Sequence, residues 1–124
     1  MNKVVINNCY GGYGVSDTVV TYIMRKLSKS KLEALEADYY KEIEEVHDGD
    51  FNNWTFLEHV QYHISEDMAR HDPLLVEAVE NCAEPHGFCA NLRICEIKGN
   101  RYIIKEYDGL ESISEPDDIK WITI

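Results

Sequence analysis

Residues Val4 to Ser16, VVINNCYGGYGVS, decide how the rest of the chain is read. The apolar run Val4-Val5-Ile6 predicts a β-strand that stops at Asn7 and Asn8. Cys9 and Tyr10 follow, then Gly11, Gly12, Tyr13 and Gly14, and Ser16-Asp17 supplies a helix cap with an acidic first turn. A strand that feeds a glycine-rich turn into a helix start can hold an anion or small polar ligand on backbone N–H groups. It also sets Cys9 at a strand end, where an exposed thiol is expected. The turn is not a Walker loop, since no Gly-Lys-Ser/Thr follows, and it is not a G-x-G-x-x-G dinucleotide fingerprint. A purely structural turn therefore competes with the ligand reading.

Working outward, a first helix is expected from Ser16 to about Leu27, with Val19, Val20, Ile23, Met24 and Leu27 at helical spacing. Ser30-x-x-Glu33 is a capping-box signal for a second helix with the stripe Leu32, Leu35, Tyr39, Ile43 and Val46, ended by Asp48-Gly49-Asp50. A third fits Asn53 to about Met68, with Trp54, Leu57, Val60, Gln61 and Ile64 on one side. The fourth begins at Asp72-Pro73, runs through Leu75, Val76, Val79 and Cys82, and ends at Pro85-His86-Gly87. The texture then changes to strands: Ala90–Lys98, a Gly99-Asn100 hairpin turn, Arg101–Tyr107, an Asp108-Gly109 turn, Leu110–Ser114, and a last strand over Ile119–Ile124. The expected architecture is one α+β domain spanning residues 1–124. Its N-terminal strand joins a C-terminal antiparallel meander, with about four helices packed on one face.

The chain of 124 residues is 44% apolar, with 23 acidic against 12 basic residues for a formal net charge of −11. That balance argues against a phosphate-backbone binder, which needs excess Lys and Arg. It fits plain solubility, a basic protein partner, or mimicry of a polyanion. No apolar stretch approaches the ~20 residues of a membrane span, and the N-terminus runs straight into a strand pattern without a signal peptide. A cytosolic location is expected, so Cys9, Cys82, Cys89 and Cys95 read as free thiols; their spacing matches no zinc template. Core packing is the default for the last three.

Other stretches carry candidate chemistry. Arg70, just before the Asp72 cap, is placed to grip a carboxylate or phosphate bidentately; the plainer alternative is an ion pair tying the helix start to an acidic turn. Tyr10 and Tyr13 flank the glycines and could stack on a planar ligand or cover the sheet edge. Cys9 as a nucleophile would need a base, for which His71 is the best candidate. His59 and His63 stand four apart with Asp67 a turn further on, a spacing that can bind zinc, but a solvated helix face is the favoured reading. Tyr107-Asp108-Gly109-x-Glu111 offers Asp108 and Glu111 as a carboxylate pair, although Asp-Gly turn chemistry already explains Asp108.

Three segments, KVVINNCYGGYGVS, RHDPLLVEAVE and ANLRICEIKGNRYIIKEYDGLESISE, together resemble an uncharacterised family of short bacteriophage and prophage proteins. Its members open with K-V-V-I-N-x-C-Y-G-G, carry R-x-D-P-x-L-V and close with E-Y-D-G-x-E. The resemblance covers roughly half the chain and departs between Ser28 and Asp67. It singles out Asn7, Cys9, Tyr10, Gly11, Gly12, Arg70, Asp72, Pro73, Tyr107, Asp108, Gly109 and Glu111, and implies a bacterial host cytoplasm. Small acidic phage proteins often act by binding, so the expectation is a non-catalytic binder of a small anionic, nucleotide-like ligand, able to sequester a host defence signal. The expected ligand residues are Asn7, Cys9, Tyr10, Gly11, Gly12, Tyr13, Gly14, Ser16, Arg70, Asp72, Tyr107, Asp108 and Glu111, with a second subunit excluding water. No cofactor, metal, nucleic acid or membrane partner is expected. The alternatives are an acidic protein that blocks a host protein, and an enzyme using Cys9.

Overall fold

The computed structural model describes residues 1–45, 55–118 and 120–124. The order of elements is β1 (Asn2–Asn7), α1 (Asp17–Lys26), α2 (Lys29–Glu45), α3 (Phe56–Asp67), α4 (Pro73–Asn81), β2 (Leu92–Ile97), β3 (Ile103–Tyr107) and β4 (Leu110–Ser114), followed by a 3-10 turn at Pro116–Asp118. The class is α+β, with an N-terminal strand, a block of helices and C-terminal strands, as the sequence pattern predicts.

Local signals set most helix starts. Ser16 Oγ accepts from Val19 N at 3.4 Å to cap α1, with Asp17 in the first turn and Arg25 and Lys26 in the last, both favourable to the helix dipole. Thr55 Oγ1 accepts from Glu58 N at 3.1 Å ahead of α3. Asp72 Oδ1 accepts from Leu74 N at 2.9 Å, and Pro73 occupies the first turn of α4. The start of α2 differs from expectation. Ser28, not Ser30, takes the cap: its Oγ accepts from Lys31 N at 3.3 Å and its carbonyl from Leu32 N at 3.1 Å. Asp48-Gly49-Asp50, Val46, Asn53 and Trp54 lie outside the described residues.

The core joins β1 and β2 to three of the helices. Val5 from β1, Val19, Val20 and Ile23 from α1, Val60 and Ile64 from α3, Leu75, Val76, Ala78 and Val79 from α4, and Leu92 from β2 form one buried cluster with Val15. These are the predicted stripes of α1 and α4. On α3 the buried face is His59, Val60 and Ile64, while Leu57 is turned outward. Val4 and Val5 point to opposite faces of β1 yet both are fully buried. The strand is therefore a central element, touching α4 and β4.

The strands form two antiparallel pairs, β1 with β2 and β3 with β4. Asp108 (φ 51°) and Gly109 (φ 91°) make the tight β3–β4 turn, the left-handed pair such a hairpin needs. Gly99-Asn100 does not close a ladder between β2 and β3. Its backbone is taken by side chains: Lys98 N and Gly99 N donate to Glu115 Oε1 at 3.1 and 3.4 Å, and Asn2 Nδ2 donates to Gly99 O at 2.7 Å. No strand forms over residues 120–124, because Pro116–Asp118 winds into a turn in which Glu115 N donates to Asp118 Oδ2 at 2.7 Å. Ile119 lies outside the described residues. Among the described residues no helix is long and apolar enough to cross a membrane.

The change of cap gives a direct test. Ser28→Ala should lower stability by about 1 kcal/mol in urea unfolding, whereas Ser30→Ala should stay within about 0.5 kcal/mol of the parent.

Candidate functional site

Asn7 ends β1 with its side chain fully buried, so each of its polar atoms needs a partner. The partners come from three different segments. Nδ2 donates to Cys9 O at 2.9 Å and to Gly109 O at 2.8 Å, while Oδ1 accepts from Asn91 N at 2.8 Å. The Asn7 backbone N–H donates to Glu111 Oε1 at 2.7 Å. One asparagine thus joins the end of β1, the entry to β2 and the β3–β4 turn.

Arg70 completes this centre. Nη1 and Nη2 donate to Glu111 Oε1 and Oε2 at 2.7 and 2.8 Å, a bidentate pair whose side chains are only 18% and 7% exposed. Nη1 also donates to Val5 O at 3.2 Å, and the Arg70 carbonyl accepts from Val5 N at 2.9 Å. Tyr13 lies flat under the guanidinium, 3.3 Å from ring centroid to Cζ. Burial pushes the Tyr13 phenol up to about 12, against the pull of the Arg70 charge, and its hydroxyl has no hydrogen-bond partner among the described residues. The carboxylate that Arg70 grips is the protein's own: the ion-pair alternative, not an open anion site, describes this arginine.

The glycines are explained by backbone approach. A Cβ on Gly11 would collide with the Cys89 carbonyl, and one on Gly109 would sit 2.5 Å from Gly12 N and 2.6 Å from Tyr10 O. Gly87 N donates to Gly14 O at 2.9 Å, and Ser16 N to Pro85 O at 3.0 Å. Three turns, at residues 9–14, 87–89 and 108–109, are packed against one another. Ser16 and Asp72 act as helix caps, and Asp108 is an exposed turn residue at positive φ, while the buried Glu111 carboxylate is held by Arg70.

Cys9 is half-buried, its Sγ makes no hydrogen bond among the described residues, and His71 Nδ1 instead meets the Tyr102 hydroxyl at 2.7 Å. The cysteine–histidine pairing is not formed. Cys89 is exposed at φ 66°, contrary to the expected core role, because its backbone is bent to meet Gly11. Tyr10 and Tyr107 are exposed around the turn junction, as is Phe88 at 98%, which periodicity did not flag because it sits in a loop. His59 departs furthest from expectation. It is fully buried, not on a solvated face.

Beside the Asn7–Arg70–Glu111 clasp lies a cleft of about 680 Å³ lined by His71, Arg101, Tyr102, Ile103, Lys105 and Glu115, among others. His71 and Tyr102 meet edge-on, with ring centroids 5.7 Å apart. Burial pushes the Tyr102 phenol up and the nearby Arg70 charge draws it down. Glu115 Oε1 is engaged by the Lys98–Gly99 backbone, while Arg101 and Lys105 form no ion pair among the described residues. The cleft needs β3 and β4 folded beside the residue following Arg70, so no contiguous motif announces it.

Two measurements test the clasp. Glu111→Ala leaves Arg70 buried without a counter-charge and should lose about 3–5 kcal/mol of stability, most of it regained by adding Arg70→Met. Tyr13 has a folded pKa above its unfolded value, so its contribution is present below pH ~10 and lost as pH rises towards ~12. Tyr13→Phe should remove that alkaline loss from urea-unfolding profiles and leave stability at neutral pH within about 1 kcal/mol.

No protein-family model matches this chain, and no curated protein or solved structure matches it.

Proposed function

We propose that this protein binds a small anionic, nucleotide-like ligand without transforming it, and that the ligand occupies the cleft beside Tyr102. The observation that carries this reading is the gathering of Arg101 and Lys105, with His71, on one cleft of a chain whose net charge is −11. Two cations without ion-pair partners among the described residues give an anion its attraction, and a concave wall strengthens it by excluding water. Tyr102 and Ile103 provide surface for a planar ring, and the His71 imidazole a polar edge. Arg70 and Glu111 take the part of a rigid floor. They hold His71 and the β3–β4 hairpin in place and are not direct ligands. The resemblance to short phage proteins makes sequestration of a host signal the fitting role, with a second copy of the chain closing the open side.

A second reading is favoured by one observation, the exposure of Tyr10, Phe88 and Tyr107 around the packed turns. Aromatic side chains on an acidic surface suit a basic site on a host protein.

Thermal-shift and calorimetric titration with nucleotides and cyclic nucleotides decides between these. A nucleotide should raise the melting temperature, and Lys105→Glu or Arg101→Ser should each weaken its binding about tenfold or more. Arg25→Ser, a charge change on α1, should leave affinity unaltered. If no anion stabilises the folded protein, the cleft reading is wrong.

A further inference from the structure

We propose that Glu42, His59 and His63 form a binding site for a divalent transition metal of the zinc class, joining α2 to α3. The site is independent of the anion cleft. One ligand atom from each of the three residues lies within 4.8 Å of the others. His59 and His63 stand one turn apart on α3 with ring centroids 4.5 Å apart, and Glu42 Oε2 reaches across from α2 to 3.1 Å from His59 Nδ1.

The second observation is a set of orphaned buried nitrogens. His59 is fully buried, and among the described residues neither Nδ1 nor Nε2 makes a hydrogen bond; the buried His63 Nε2 has no hydrogen-bond partner among them either. Buried polar atoms without partners are rare in folded proteins and call for an explanation. A simple Glu42–His59 ion pair would occupy one of these nitrogens and leave the other two. A metal ion would engage a nitrogen of each ring and the carboxylate together.

The outer arrangement fits the same conclusion. Asp67 Oδ2 lies 2.6 Å from His63 Nδ1. That contact puts the proton on Nδ1, leaving the Nε2 lone pair for a metal, which is the carboxylate–histidine–metal relation seen around ligating imidazoles. Tyr39 packs 5.4 Å from the His59 ring and 5.6 Å from Phe56, giving the site an aromatic surround. His63 and Asp67 also line a cavity of about 420 Å³ beside Leu35, an entry route for a hydrated ion.

The donor set selects the ion. Two imidazoles and one carboxylate suit zinc and its neighbours, whereas calcium and magnesium prefer oxygen alone. Three protein ligands leave a fourth position for water, and the Glu42 side chain is half-exposed on that side. Closing this set requires the ligand atoms to draw in to roughly 3.3 Å, the edge of a tetrahedron with ~2.0 Å bonds. Rotation of the Glu42 and His63 side chains supplies that movement. The ion would hold α2, which has few buried residues of its own, against the core helix α3.

The test uses the full chain stripped of metal with a chelator, then titrated calorimetrically with zinc and, separately, with cobalt for its visible spectrum. One equivalent of zinc should bind, cobalt should show tetrahedral absorption, and melting should rise by about 10 °C once free zinc exceeds Kd about a hundredfold. Glu42→Gln and His63→Gln, both at partly exposed positions, should each weaken zinc binding at least about tenfold, and Asp67→Asn less so. Folded protein that takes up no zinc, or binding that survives both Glu42→Gln and His63→Gln, overturns the proposal.

Discussion

A guanidinium that is four-fifths buried cannot be left without a counter-charge, and the answer to Arg70 organises this molecule. Glu111 of the β3–β4 hairpin meets that demand with both carboxylate oxygens. Placing Glu111 there brings the Asp108-Gly109 turn down onto the Cys9–Gly14 turn. That approach is close enough to exclude a Cβ at Gly109, as the neighbouring Cys89 backbone excludes one at Gly11. Asn7 then closes the remaining gap by bonding to Cys9, Gly109 and Asn91 at once. Asn7, Arg70 and Glu111 thus form a continuous set of hydrogen bonds, in which loss of one member strands the others.

This arrangement separates two features that sit together in the sequence. Arg70, whose charge is spent internally, is followed at once by His71, which turns to Tyr102 and the open cleft. The rigid pair positions the residue that faces solvent. In the same way α3 divides its work between neighbours. Val60 and Ile64 pack into the apolar cluster, while His59 and His63 turn towards α2 and Glu42. Both candidate sites therefore lie at the margin of the core, where a well-anchored element meets a less anchored one.

Much of the scaffold was legible from local patterns. The apolar spacing of α1 and α4, the Ser16 and Asp72 caps and the Asp108-Gly109 turn depend on residues within a few positions of one another, so a linear reading captures them. Ser28 takes the cap of α2 in place of Ser30 because its own Oγ and carbonyl accept from Lys31 N and Leu32 N. Gly99-Asn100 had the right composition for a hairpin, yet Glu115 and Asn2, distant in sequence, took its polar groups. The burial of His59 was hidden for a similar reason. Its neighbours Glu42 and Tyr39 belong to another helix.

The sequence by itself determined that this is an α+β chain with one strand ahead of its helices and the rest behind them. It also marked Asn7, the glycine turn, Arg70 and Glu111 as candidate site residues, without joining them. Periodicity and turn chemistry are properties of neighbours along the chain, and they suffice for that much. Only the tertiary structure decided what those residues do for one another. Whether a buried arginine meets an outside anion or Glu111 depends on a contact across 41 positions. Whether a histidine is solvated or orphaned depends on which helix covers it. Charge pairing and desolvation are set by distance in space, and no spacing along the chain encodes that distance.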